Sequence, residues 1–310
     1  MALSSHFQIL CCPKCQSGLN LEDDRMCCPD CSEKYEIIEN DILSIIPDKT
    51  KDLEISIDKW DEMYRNQLAS GEYYKNFEQY KNDFFEDVFG QLKREKEINK
   101  ETVYLEIGCG PFFLGQLMAD RVGLIIGIDF CPSALKIAKK MLDEKGIENY
   151  LLIHGDILKL PFRKESVDLI YGGGVIEHFE NTQQCVEELF RVLKKDGVSF
   201  NTVPYFNLGA LTYRQLWGNI PNVPILKKLA EIIHIKIFNK RFMKFGYEMS
   251  FTAGKLNDVH EKSGFSRVIV DKFQVKLSFD MLPRFMRKPF VWLADNSWLF
   301  WPMVKVIGKK

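Results

Sequence analysis

The sequence predicts an α/β fold: a doubly wound, Rossmann-like sheet, mostly parallel with an antiparallel last strand, preceded by a small cysteine-stapled ribbon. Three observations carry this. Strand and helix patterns alternate from 102 to 203, which implies a parallel sheet covered on both faces. Successive apolar runs close on Glu106, Asp129 and Asp156, with glycines at 108 and 110 after the first. Two Cys-x-x-Cys pairs stand near the amino terminus.

Bulk properties narrow the classes. With 310 residues and 46% apolar content the chain can bury one large core and a small satellite. A net charge of −1 argues against a wholesale polyanion binder. Nine cysteines without a secretory apolar segment point to a reducing, cytoplasmic setting. The longest apolar run, 290–304, is interrupted by Asp295 and Pro302, so no membrane span is predicted.

The amino-terminal unit, residues 1–50, is read from Cys12-Pro-Lys-Cys15 and Cys28-Pro-Asp-Cys31, twelve residues apart. Each tight turn aims two thiolates at one point, and two pairs make the all-thiolate shell that Zn²⁺ accepts. Four protein ligands leave no position for water, so the metal's role is structural. Fewer than fifty residues cannot build an adequate core, and ligation would supply most of the folding energy. Cys11 and Cys27 could shift the ligand register; the reading preferred here packs them as small apolar side chains. Residues 35–47 alternate like two strands around a turn.

A charged linker is predicted at 47–54. Residues 51–100 read as a helical lead-in, with a helical pattern over 57–92 and many aromatics. Strands follow at 102–107, 124–129, 150–154, 167–171 and 198–203, with helices near 111–119, 133–142 and 183–193 and a last strand at 303–307. Ligands of such sheets bind at the carboxyl ends of the strands. Gly108 and Gly110 allow a sharp turn and close approach to a ligand. Glu106 can orient that loop and face an ammonium. Asp129 can accept both hydroxyls of a ribose, and Asp156 an adenine amino group, between the apolar walls Phe130 and Ile157. Gly172, Gly173 and Gly174 allow carbonyls to reach the same amine. These details favour S-adenosylmethionine over a dinucleotide, because the G-x-G-x-x-G pattern fails at Phe113.

Residues 102–203, with 251–273, resemble the class I S-adenosylmethionine-dependent methyltransferases. The resemblance is carried by Leu105-Glu-Ile-Gly-Cys-Gly110, Gly127-Ile-Asp129, Gly155-Asp156, Val175-Ile-Glu-His178 and Leu193-Lys-Lys-Asp-Gly197. It implies methyl transfer and the cofactor roles just given. It also implies that a Trp-Asp-x-x-Tyr segment, here Trp60 to Tyr64, lies over the cofactor. One departure stands out: Phe112 occupies a position where the family often has a third glycine. Residues 10–47 resemble the zinc-ribbon activator domain that accompanies many methyltransferases. A Glu-x-x-Glu-His metal group known from quinone-pathway relatives is incomplete, with Gly174 in place of its first glutamate. The amine-methylation signature is also missing after the fourth strand; residues 201–205 read as a loop.

His178, beside Glu177, is the candidate general base, with packing at a helix start as the alternative. Residues 101–310 form the methyltransferase domain with a lid insertion at 207–246. That insertion holds seven Lys/Arg and one acid, and residues 281–310 hold six and one. The excess positive charge is +6 and +5, so the rest of the chain carries −12. Ile225, Leu226, Leu229, Ala230, Ile233 and Ile237 make an apolar helical face among lysines. Arg284, Arg287 and Lys288 accompany Phe285, Phe290, Trp292, Trp298, Phe300 and Trp301. Such mixtures suit a peripheral membrane contact or an amphiphilic substrate; a solvated rim around a packed lid is the alternative. Three functions follow: methylation of a small or lipid-linked metabolite, methylation of tRNA or rRNA, or a non-catalytic scaffold whose cofactor site Phe112 blocks.

Overall fold

The computed structural model describes residues 6–45, 51–273 and 283–310. The ribbon contributes β1 (Asn20–Glu22), β2 (Arg25–Cys27), β3 (Lys34–Ile38) and β4 (Ile42–Ile45). The main sheet is built from β5 (Val103–Ile107), β6 (Leu124–Asp129), β7 (Tyr150–Gly155), β8 (Val167–Gly173) and β9 (Leu193–Pro204), with β12 (Arg267–Phe273) and β13 (Met303–Lys309). A short pair, β10 (Ile220–Pro221) and β11 (Met249–Ser250), lies apart.

The order is β1-β2-β3-β4-β7-β6-β5-β8-β9-β13-β12 in one sheet. From β4 to β9 neighbours run parallel; β13 runs antiparallel to both β9 and β12. The central strands are apolar throughout because both faces are covered. Their period of two splits the core. Leu105, Ile107, Ile126, Ile128, Leu151 and Ile153 face α6 (Thr182–Val192) and α9 (Ala253–Lys262). Tyr104, Ile125, Leu152, Leu169 and Phe200 face α3 (Glu86–Glu95), α4 (Phe113–Met118) and α5 (Pro132–Glu144).

The ribbon is not tethered loosely. β4 adds to the edge of the main sheet, pairing Ile42 with Leu152 through Ile45 with Gly155. Residues 47–50 of the expected linker lie outside the described residues. Its remainder, Lys51 to Glu54, is instead the first turn of the helix α1 (Lys51–Ser70), which has no glycine or proline to stop it; α2 (Tyr73–Tyr80) follows. A second correction concerns 201–205: β9 extends through Pro204, its buried strand paired on both sides, and Tyr205 bridges to Phe251. The insertion folds as α7 (Leu208–Leu211), a 3₁₀ turn (Tyr213–Trp217) and α8 (Pro224–Glu231). Helix α10 (Arg284–Asn296) precedes β13.

Candidate active site

The carboxyl ends of β5, β6 and β8 meet at one cleft. Past Ile107 the backbone turns over Gly108 and Gly110, both at φ +53°. A Cβ on Gly108 would come within 2.7 Å of Val175, and one on Gly110 within 2.7 Å of the Tyr64 hydroxyl. Phe112 also adopts a left-handed conformation, φ +60°, where glycine would be unstrained. Its ring is fully buried against Gly115 and Gly127, so it fills the core beneath the loop and lines neither cavity described below.

Asp129 ties the loops together. Its Oδ2 accepts the Gly110 N–H at 2.7 Å and its Oδ1 accepts the Cys131 N–H at 2.8 Å. Burial pushes its carboxyl upward, and these N–H groups oppose that. Glu106 accepts the Tyr104 hydroxyl at 3.1 Å and the Gly115 N–H at 2.9 Å, both on Oε2. Burial raises its pKa to about 8 despite both bonds.

A carboxyl raised on folding stabilises the fold at low pH, and that contribution disappears as pH rises toward the folded value. Relative to Glu106→Gln, the wild type should therefore lose up to about 1.4 kcal/mol of stability per pH unit between roughly 5 and 8. Urea unfolding of both proteins across that range measures it; parallel curves would contradict the assignment.

Two lobes open here. The larger, about 720 Å³ when its opening to solvent is included, is lined by Trp60, Tyr64, Asp129, Phe130, Ile157 and His178 among others. The smaller, about 520 Å³, holds Glu106, Gly110, Tyr80 and Tyr171. Tyr64, Gly108 and Gly173 line both, so the lobes adjoin beneath the Tyr64 ring. Trp60 stacks between Tyr64 and Phe245 of the insertion, each at 6.1 Å and 24°, and meets His178 edge-on at 6.3 Å. Trp217 continues this wall against Phe245.

Other expected residues sit differently. Asp156 is buried and caps the next turn, accepting the Leu158 N–H at 2.9 Å; its neighbours Gly155 and Ile157 line the cleft, whereas Asp156 does not. Gly172 needs correction: the space left by its missing Cβ is occupied by Asn201 and Ile107, so it serves strand packing, and Gly173 and Gly174 reach the cleft. Sequence reasoning missed Ile57, Cys131, Val175 and Phe179, which line the larger lobe, and the Tyr80–Tyr171 wall of the smaller. Cys131 and Val175 come two residues after strand ends, which is their only sequence signal; Ile57 and Tyr80 lie on the lead-in helices and Tyr171 within β8.

His178 lies 2.7 Å through Nδ1 from the Tyr247 carbonyl, so Nδ1 carries the proton. Burial lowers its pKa, opposed by nearby Glu248 and by the Tyr247 and Gly174 carbonyls. The neutral ring keeps its lone pair on Nε2. Next to it Glu177 is almost fully buried with Oε2 unpartnered, its carboxyl raised by burial and then by Glu248. Glu248 in turn accepts from Asn219 at 3.0 Å and lies 3.7 Å from Arg214.

In the ribbon, the Sγ atoms of Cys12, Cys15, Cys28 and Cys31 all lie within 4.8 Å of one another. Cys12–Cys31 and Cys15–Cys28 approach to 3.5 and 3.4 Å. Sulfurs at tetrahedral Zn–S bonds of ~2.3 Å stand ~3.8 Å apart, so the set could hold such an ion. Tyr35 Oη lies 3.1 Å from the Cys12 sulfur.

Residues 98–217 match a family described as a methyltransferase domain. The chain is 26% identical over 181 residues to the demethylmenaquinone methyltransferase of Lactobacillus johnsonii, covering 55% of this chain and 70% of that protein. Among solved structures it is similar to a Haloferax volcanii methyltransferase complex with the Trm112 activator (TM-score 0.54, 14% identity, 81% of this chain and 96% of that one). It is also similar to a Haemonchus contortus phosphoethanolamine N-methyltransferase with S-adenosylmethionine bound (TM-score 0.53, 15% identity, 80% and 60%). These last two likenesses establish the fold: a mostly parallel methyltransferase sheet. With the domain match over 98–217 and the similarity to a methyltransferase of known name, the chain is a methyltransferase.

Proposed function

We propose that this enzyme methylates a small, amphiphilic, lipid-linked acceptor, and that its cofactor lies across the tips of β5, β6 and β7. The observation that carries the acceptor class is a cleft lined by Trp60, whose ring packs on Phe245 and through it on Trp217 of an insertion whose outer face is apolar and basic. Ile225 is 83% exposed, Phe285 81% and Trp292 66%, with Lys228, Lys236 and Lys288 in the same segments. Leu208–Leu211 lies against the turn Trp298–Phe300, and Asn207 donates to the Trp301 carbonyl at 2.7 Å, which joins the two segments. Large exposed apolar surface beside lysines suits an anionic interface. Similarity to a demethylmenaquinone methyltransferase supports a small acceptor of this kind. The RNA reading has less support: ribbon cations are matched by acids, Lys14 by Glu33 and Arg25 by Glu36.

In this reading Asp129 accepts the ribose hydroxyls and Phe130 and Ile157 flank the adenine, while Asp156 holds the turn that carries Ile157. Glu106 faces the methionine ammonium, with Gly173 beside it. Trp60 and Tyr64 cover the bound cofactor and exclude water. S-adenosylmethionine, once bound, supplies a methyl already activated on a sulfonium. The protein's task is then to align an acceptor lone pair on that axis. Where the acceptor carries a proton, Nε2 of His178 takes it. The cysteine quartet holds a structural zinc.

Three lines support or refute these assignments. Label from methyl-tritiated cofactor should enter the organic phase of a cell extract; label confined to RNA or to aqueous metabolites would sink the lipid assignment. The protein should sediment with phosphatidylglycerol vesicles at low ionic strength and be released as salt screens the lysines. Ile225→Asp with Trp292→Asp should abolish that binding, and failure of the wild type to sediment would remove the membrane contact. His178→Ala should lower kcat about 10²- to 10⁴-fold while cofactor affinity stays put. Wild-type kcat should also fall on acidification, but only below the ordinary histidine range, since burial keeps the ring neutral to lower pH and Nε2 must be unprotonated.

A further inference from the structure

The ribbon reaches the cofactor cleft through two side chains. Across the β4–β7–β6 register, Ser44 pairs with His154 and His154 with Asp129. Ser44 Oγ lies 3.2 Å from His154 Nδ1, and His154 Nε2 lies 3.2 Å from the Phe130 carbonyl. A carbonyl only accepts, so Nε2 carries the proton and Nδ1 receives the serine hydroxyl. The His154 and Phe130 rings also meet edge to face at 6.3 Å. Phe130 lines the cleft directly after Asp129. The ribbon holds the adjoining loop from a second side: the Cys11 N–H donates to Pro161 at 2.9 Å and the Arg163 N–H to Ile9 at 3.0 Å. Gly155 and Ile157, both cleft-lining, therefore sit between two ribbon attachments.

We propose that His154 is a positioning residue for cofactor binding, held by Ser44, and that through it metal occupancy of the cysteine quartet and cofactor affinity are linked. This rests on the cofactor placement proposed above. Without the imidazole the Phe130 carbonyl loses its buried donor and the ring loses its edge partner, so residues 129–131 can turn. The carboxylate of Asp129 then leaves the geometry that two backbone N–H groups enforce. Linkage is reciprocal: whatever the ribbon's order adds to cofactor affinity, bound cofactor adds to metal retention.

Calorimetric titration of the full chain with S-adenosylhomocysteine tests this. His154→Ala should weaken binding about tenfold and Ser44→Ala by a smaller factor, while kcat at saturating cofactor stays within about twofold. His154→Gln, which can still offer a donor to Phe130, should recover most of the loss. Chelator-treated wild type should weaken to a similar degree, and the same treatment of His154→Ala should add little, because coupled sites are not additive. Unchanged affinity in both His154→Ala and Ser44→Ala, or losses from mutation and chelation that simply multiply, would overturn the relay. If Asp129→Ala weakens binding while His154→Ala does not, the relay alone is wrong. If the wild type binds no cofactor, the cleft assignment fails and the relay with it.

Discussion

Replacing Asp129 by alanine should raise the dissociation constant for the cofactor by at least about 100-fold. The carboxylate has two tasks in one buried place. It accepts the N–H groups of Gly110 and Cys131, fixing the glycine loop and the start of α5 relative to each other. In the proposed complex it also meets the ribose hydroxyls. Truncation leaves two buried donors unsatisfied, at about 1–3 kcal/mol each, and removes a charge-assisted contact to the ligand. Asp129→Asn is the sharper test. It keeps the volume but turns an NH₂ toward a backbone N–H, so most of the loss should remain. Titration calorimetry reads both variants, and affinity within threefold of wild type in a folded protein would contradict the placement.

The other large effect lies in the ribbon. Cys28→Ser should remove the bound metal and lower the melting temperature by more than about 10 °C, since a structural zinc supplies most of such a unit's folding energy. The consequence extends beyond the ribbon because β4 covers the edge of β7. With the ribbon unfolded, a buried apolar strand presents free N–H and C=O groups, which invites aggregation. Metal analysis, thermal melting and light scattering read the three outcomes separately. A variant that loses metal but keeps its melting temperature would show that the quartet is not structural. Cys11→Ser is the control: buried beside the quartet, with Cys12 rather than Cys11 among the converging sulfurs, it should retain metal.

The cysteine spacing and the acidic strand ends were legible because both are local patterns. Two residues between cysteines set a turn, and a period of two sorts side chains to the faces of a strand. The three tips, Glu106, Asp129 and Asp156, follow from where apolar runs stop. Local pattern could not say which way a side chain turns there. Asp156 caps its own turn, and Gly172 faces the packing under β9. Phe112 shows the same limit from the other side. Its position beside the glycine loop reads as an obstruction, yet a left-handed backbone at φ +60° swings the ring into the core. A strained conformation is sustained by the fit of that ring against Gly115 and Gly127.

By itself the sequence determined the fold class, the methyl-donor chemistry, the cysteine quartet and the charge of the insertion and tail. Each is written in spacings of a few residues, where backbone periodicity and ligand geometry act directly. Tertiary structure alone decided that β4 joins the main sheet, that Tyr64 lies where two lobes of the cleft meet, and that His178 is committed through Nδ1 to Tyr247. Those contacts join residues 69 to 110 positions apart, His178 with Tyr247 and Ser44 with His154. Their partners are chosen by burial and by the closing of hydrogen bonds across the sheet, which no short window of sequence contains.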